Sequence, residues 1–166
     1  VDIFVNRIPF KNPCTQENYL KMIDHLPLIV NEILPNQDID TIAYGCTSGT
    51  IAIGKDKIEF QVRKSKPGAY VTTPITAVIK AFKKLNIKKI AVLAPYPRLV
   101  NKTVFDYLNN EHIEIDTFTS FNLDSDADIA RIDPNYIINI IQDIKRSNID
   151  AVFVSCTAIK VLQVLD

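Results

Sequence analysis

Net charge is the first thing this sequence of 166 residues lacks: Lys plus Arg and Asp plus Glu each number 19. No global field favours nucleic acid or an anionic membrane surface, so a small molecule is the default ligand. Long hydrophobic runs are missing too. The apolar residues, 47% of the chain, fall in short stretches, none near the roughly 20 that a spanning helix needs. No basic, apolar, small-residue leader opens the chain. These absences lead us to expect a soluble, cytoplasmic protein with no nucleic-acid and no membrane partner.

Cysteine and histidine are scarce. Three cysteines, Cys14, Cys46 and Cys156, are odd in number and few for a disulfide framework, which predicts free thiols in a reducing compartment. There is no Cys-x-x-Cys pair or Cys/His cluster, and only His25 and His112 are available. We therefore expect no metal and no cofactor.

What is present is a repeated pattern. Ile39 to Tyr44 runs into Gly45-Cys46-Thr47-Ser48-Gly49-Thr50, and near the other end Asp150 to Val154 runs into Ser155-Cys156-Thr157-Ala158. Each copy reads as an Asp, a short buried strand, then Cys-Thr opening a helix. A thiol at a helix start sits among N–H groups that lower its pKa and can hold a carboxylate or enolate oxygen. An isolated cysteine at a strand end is ordinarily a packing residue, and Cys14 is read that way. The repetition argues instead for one site with Cys46 and Cys156 as its two faces.

The length suits a single domain with a substantial core. Val1 to Val5 reads as a strand. Leu20, Ile23, Leu26, Ile29, Val30 and Ile33 recur at helical spacing, with Pro27 predicting a kink or a break. Lys57 to Lys64 is ambiguous between strand and helix. Ala69 to Val71 reads as a strand, and Thr72-Thr73-Pro74 as a capped helix start carrying Ile75, Val78, Ile79, Phe82 and Leu85 on one face. Further strands are expected at Lys88 to Ala94 and Ile113 to Phe118, with helices at Leu99 to Leu108 and Pro134 to Ile144. Asn122 to Asp128 reads as a loop or short helical turn, and Ala158 to Asp166 as the start of a helix. Strands alternating with helices predict an α/β fold of parallel sheets covered on both faces. Ligands then belong at the strand ends, where Cys46, Thr72, Tyr96 and Cys156 fall.

Other cysteine and serine chemistries fit poorly. A phosphatase loop needs Arg six residues after the thiol, and this chain has Ala52 and Leu162 there. A Cys/His hydrolase needs a base at the thiol, and neither histidine sits at a predicted strand end. Ser48 lacks the Gly-x-Ser-x-Gly setting of a serine nucleophile.

Taken in order, Gly45 to Thr50 with Ile53-Gly54, Val71-Thr72-Thr73-Pro74, Ala94-Pro95-Tyr96 with Val100-Asn101, Asp128-Ile129-Ala130-Arg131, and Ser155 to Ala158 resemble the aspartate/glutamate racemase superfamily. Within it they are most similar to the branch of maleate cis-trans isomerase, arylmalonate decarboxylase and the ectoine-utilisation A-type proteins. The resemblance implies two pseudo-symmetric Rossmann-like halves, about 1–72 and 73–166 in one unit, with a cysteine from each. Cys46 and Cys156 would be catalytic. Thr47, Ser48, Tyr96 and Thr157 would bind substrate, with Asn101 a further candidate; Thr72 and Thr73 read as helix caps.

The implied function is a cofactor-independent racemase or isomerase of a small carboxylate, an amino acid or a derivative, working by proton transfer between two cysteines. The alternatives are maleate-type isomerisation through thiolate addition and a non-catalytic carboxylate binder. Cysteine at both positions speaks against decarboxylation, and Asp126, where maleate isomerases have Asn, would repel a second carboxylate. The superfamily also implies a possible homodimer. The family's opening strand and closing segment are expected to lie outside this sequence.

Overall fold

A computed structural model of the chain describes residues 1–144 and 148–164. Its strands form two parallel sheets: β1 (Thr41–Ala43) with β2 (Tyr70–Thr72), and β3 (Lys89–Ala94) between β4 (Glu114–Ser120) and β5 (Ala151–Val154). The helices are α1 (Gln16–Glu32), α2 (Thr47–Ile53), α3 (Lys55–Arg63), α4 (Pro74–Leu85), α5 (Arg98–Asn110), α6 (Asp126–Ile129) and α7 (Pro134–Ile144), with a 3-10 turn at Val161–Val164. The α/β class with parallel sheets is as expected.

The central strand shows why the sequence folds this way. Ile90 to Ala94 are all fully buried, as a strand paired on both edges and covered on both faces requires. Asp150 fastens β5 beside it, its carboxylate accepting from the backbone N–H groups of Lys88 (2.8 Å) and Lys89 (2.9 Å). The Thr73 cap is confirmed: its hydroxyl accepts from the Thr76 N–H, the Thr76 hydroxyl accepts from the Thr73 N–H, and Pro74 opens α4.

Several expectations are corrected. Val1 to Val5 is not a strand. The segment lies beside β1 without pairing and helps line a cavity of about 410 Å³ with Ile33, Ile39 and Ile42. Its apolar alternation has no ladder to join, and Val1, Ile3 and Val5 stay exposed. Pro27 does not break α1, which continues to Glu32 because the stripe Tyr19, Met22, Leu26 and Val30 is buried along its whole length. That stripe is rotated from the expected one, and Leu20 points outward. Strand β1 is not the middle of a sheet. Among the described residues it pairs only with β2, and of its three residues only Ile42 is buried.

Residues 55–63 settle as helix α3, since Ile58 and Val62, four apart, are buried while Phe60 is exposed. No α-helix opens at Cys156. A turn follows it, then the 3-10 turn, and the last two positions of the expected terminal helix lie outside the described residues.

Candidate active site

Cys46 ends the run out of β1 and is itself the cap of α2. Its backbone is extended (φ −125°), and its Sγ accepts from the Gly49 N–H at 3.3 Å, the place usually taken by a Ser, Thr or Asp oxygen. The turn is tightened by the Thr50 hydroxyl, which donates to the Cys46 carbonyl at 2.6 Å. Gly49 is required by space. A Cβ there would stand 2.7 Å from the Tyr44 hydroxyl and 2.9 Å from the Cys46 sulfur. Thr47 and Ser48 are buried, and the Ser48 hydroxyl is 3.8 Å from Cys46 Sγ.

Cys156 reaches the same place by different means. It stands at φ +93°, a region that side-chain-bearing residues rarely occupy and that costs backbone energy. This turns the chain away from a helix and presents the sulfur to the N–H groups of Ala158 and Ile159. The expected symmetry of two helix-capping thiols is thus broken: one thiol caps a helix, and the other is held in a strained turn.

The two turns touch. The Thr157 hydroxyl donates to the Gly45 carbonyl at 2.7 Å, so the residue after one cysteine is bonded to the residue before the other. Tyr96 lies between them, 1% exposed. The Ser155 hydroxyl donates to its oxygen at 3.4 Å, and the Tyr96 hydroxyl also lies within hydrogen-bonding reach of Cys156 and Ser48. Asn101 stands behind the tyrosine. Its amide nitrogen donates to the Tyr96 carbonyl (2.5 Å) and to Ser120 Oγ (2.6 Å), so it positions Tyr96 and does not reach the thiols with that group. Its Oδ1 is buried without a protein partner.

Tyr19 escaped the sequence reading, which gave Cys14 and Asp126 other roles. Cys14 is buried, and its thiol faces Asp126 Oδ1 at 3.8 Å. Tyr19, on α1, lies within hydrogen-bonding reach of both the Cys14 thiol and the Ser48 hydroxyl. Asp126, read only as a possible obstacle to a second carboxylate, acts electrostatically on all three thiols. Residue type alone carried no signal for Cys14 and Tyr19, because their proximity depends on where α1 docks. Both histidines are exposed. Among the described residues no group of three or more His, Cys, Asp or Glu is arranged to hold a metal ion.

The electrostatics correct one expectation. Burial pushes the Cys46 thiol up to about 11, outweighing the Gly49 N–H and the Ser48 hydroxyl, which pull it down; Cys156 and Asp126 push it further up. Cys156 is raised as well, chiefly by burial, against the N–H groups of Ala158 and Ile159 and the Tyr96 hydroxyl. A helix start lowers a well-solvated thiol; at these half-buried positions the lost solvation dominates. Both thiols are therefore protonated at rest, and their like charges oppose double ionisation.

Parallel sheets with a thiol turn from each, joined at one hydroxyl bond, define an α/β protein with a paired-cysteine centre. The chain belongs to the arylmalonate decarboxylase family, whose pattern it matches over residues 15–166. It is similar to the maleate isomerase of Geobacillus stearothermophilus, 28% identical over 85% of this chain and 59% of that one. It is also similar to the maleate isomerase of Pseudomonas putida (strain KT2440), 22% identical over 74% of this chain and 52% of that one. The chain thus spans just over half the length of these curated relatives.

Solved structures share the fold. The Pseudomonas putida S16 maleate isomerase Iso superimposes with a TM-score of 0.79 at 21% identity, over 90% of this chain and 63% of that one. A cysteine-to-serine variant of the Nocardia farcinica maleate cis-trans isomerase, with a covalently bound succinylcysteine intermediate, gives 0.76 at 19% identity over 89% and 62%. A liganded double variant of arylmalonate decarboxylase gives 0.78 at 19% identity over 92% and 66%.

Proposed function

We propose that this chain carries the reaction centre of a cofactor-independent isomerase or racemase of a small carboxylate, with Cys46 and Cys156 as the paired proton-transfer groups. The observation that carries this reading is the Thr157 to Gly45 bond, which draws the two cysteine turns to one place. In this reading one thiol is ionised when substrate binds. The thiolate takes the proton alpha to the carboxylate and becomes a thiol, and the electron pair passes into the carboxylate as an enediolate. The other thiol then delivers its proton to the opposite face and becomes the thiolate. Atoms and charge balance, and the two sulfurs exchange roles with each turnover.

The residues around the thiols have matching tasks. The first N–H groups of α2 have no intrahelical partner and, with Thr47, Ser48 and Thr157, would hold the oxygens on which charge develops. Tyr96, kept neutral by a pKa raised well above the ordinary value through burial, would donate to a substrate oxygen. Asn101 would hold Tyr96 in place. The halves 1–72 and 73–166 would each contribute one thiol within one unit, and a homodimer remains the assembly the superfamily suggests.

A second reading is favoured by the succinylcysteine intermediate in the Nocardia farcinica enzyme. In that reading a thiolate of this chain would add to a carbon–carbon double bond and the second thiol would protonate the neighbouring carbon; after rotation the second thiolate would take that proton back as the carbon–sulfur bond breaks. The same two sulfurs serve either reaction. The test is proton NMR of the full-length protein with small carboxylates in deuterated water. Loss of alpha-proton signal that Cys46→Ser and Cys156→Ser each reduce by at least about a hundredfold for one enantiomer, and not the same one, supports proton transfer. Isomerisation of an unsaturated acid without alpha exchange of saturated ones selects thiolate addition. Binding with neither reaction identifies a carboxylate binder.

A further inference from the structure

Ser120 ends the outer strand β4 and is exposed, yet its hydroxyl is fully engaged. A hydroxyl has one hydrogen to give and two lone pairs with which to accept. Ser120 Oγ donates to the Tyr96 carbonyl at 3.3 Å, and accepts from Asn101 Nδ2 at 2.6 Å and from the Asn122 N–H at 3.1 Å.

The Tyr96 carbonyl depends on these side chains. It lies between Pro95 and Pro97, one residue outside the ladder of α5, whose first bond runs from the Asn101 N–H to the Pro97 carbonyl at 2.9 Å. Among the described residues no backbone N–H reaches it, and its donors are Asn101 Nδ2 at 2.5 Å and Ser120. The two carbonyls before it are taken by the chain that follows Ser120: the Phe121 N–H donates to Ala94 at 3.1 Å and the Leu123 N–H to Pro95 at 2.7 Å. The end of β3 is thus zipped to residues 120–123, carbonyl by carbonyl, as far as Tyr96. Ser120 also gives the Asn101 amide its second acceptor, without which that amide would be held by the Tyr96 carbonyl alone.

At its other end Tyr96 meets Ser155, whose hydroxyl donates to the tyrosine oxygen at 3.4 Å and which directly precedes Cys156. Tyr96 and Ser155 are both buried. A rigid ring in a close-packed interior passes a displacement of its backbone on to its hydroxyl.

We infer that Ser120 is a positioning residue: by completing the grip on the Tyr96 carbonyl it sets where the Tyr96 hydroxyl stands beside the Cys156 turn. The inference rests on the proposed function only for the use a substrate makes of that hydroxyl.

The test reads the Cys156 thiol. Burial raises it most; the Ala158 N–H, the Tyr96 hydroxyl and the Ile159 N–H pull it down, and Asp126 pushes it up. Only the tyrosine among these is tied to Ser120 by the bonds above. Alkylation by iodoacetamide, which follows the thiolate, is measured across pH by mass spectrometry of the Cys156 peptide. The proteins are full-length wild type, Ser120→Ala, Ser120→Thr, Tyr96→Phe and the double variant Ser120→Ala with Tyr96→Phe. Ser120→Ala is expected to move the inflection upward and to slow the reaction at about pH 8 by roughly threefold or more. Ser120→Thr, which keeps the hydroxyl, should behave as wild type. Once Tyr96→Phe has removed the phenol hydroxyl, Ser120→Ala should shift the profile no further.

An unchanged Cys156 profile in Ser120→Ala overturns the inference. So does an equal shift with and without the Tyr96 hydroxyl, which would mark ordinary loosening of the strand end, or a changed plateau rate with an unmoved inflection, which reports access to the thiol. Should Ser120→Ala not fold, Ser120→Val compared with Ser120→Thr, alike in shape, isolates the hydroxyl in the same way. Alkylation needs neither substrate nor turnover, so absent proton exchange defeats the proposed reaction without deciding this outcome.

Discussion

Cys46 combines two roles that conflict electrostatically. As a cap, its sulfur accepts the Gly49 N–H, which favours the thiolate; as a half-buried group beside Cys156 and Asp126, it is held as a thiol with its pKa pushed from 9.0 up to about 11. A base with so high a value is weakly populated near neutrality but strong once formed. The sign is open to measurement: reaction with iodoacetamide follows the thiolate, so the rate at Cys46 should climb with pH and level off only near 11. A shift from 9.0 to about 11 makes the thiolate roughly a hundredfold rarer at pH 7 than for an unshifted thiol. Mass spectrometry of the Cys46 peptide across pH 6–11 reads this; a plateau reached below pH 9 would show that the N–H groups prevail.

The same residue shows where sequence reading reached its limit. Its place after a short strand and before a helix was legible, because Ile39 to Tyr44 and the Thr/Gly-rich turn carry local signals. Its ionisation was not, since burial comes from residues far along the chain. Cys14 illustrates this more sharply. Nothing around Asn12 to Thr15 distinguishes it from a packing cysteine, yet the docking of the segment before α1 against Asp124 and Asp126 brings its thiol to 3.8 Å from Asp126 Oδ1.

At the scale of elements, local rules succeeded where a residue's own backbone or buried face decided the outcome. The Thr73 cap and Pro74 fixed the start of α4, and the apolar run through β3 marked the central strand. They failed where tertiary placement decided. Val1 to Val5 alternates as a strand should but finds no ladder, and the chain after Cys156 has helical residues but a positive φ at Cys156 that aims it elsewhere.

That turn is held to its counterpart by Thr157, so Thr157→Val, nearly the same in shape, isolates the bond to Gly45. We expect turnover to fall by about tenfold, through misplacement of the two sulfurs, with a stability change of only about 1 kcal/mol. Denaturant unfolding alongside steady-state kinetics checks it. Equal and small effects on both would reduce the bond to ordinary loop packing.

For the molecule as a whole, alternation of strands and helices was enough to foresee an α/β fold with parallel sheets. It could not foresee that β1 and β2 form a separate small sheet with an open flank, because strand partners are chosen by packing across the molecule. The larger point is how two unlike turns meet. One sulfur is presented by a helix start, the other by strain, and the turns that carry them are joined by the bond from the Thr157 hydroxyl to the Gly45 carbonyl, while Ser155 ties the segment after β5 to Tyr96 at the end of β3.

The proposed proton transfer requires two thiols acting from opposite faces of one carbon. The most direct test follows exchange of the alpha proton for deuterium with each enantiomer of a substrate separately, in Cys46→Ser and Cys156→Ser. Opposed thiols predict that each variant still exchanges one enantiomer and has lost the other, with the preference reversed between the two variants. The same enantiomer retained by both, or equal loss of both enantiomers in each, would contradict the arrangement.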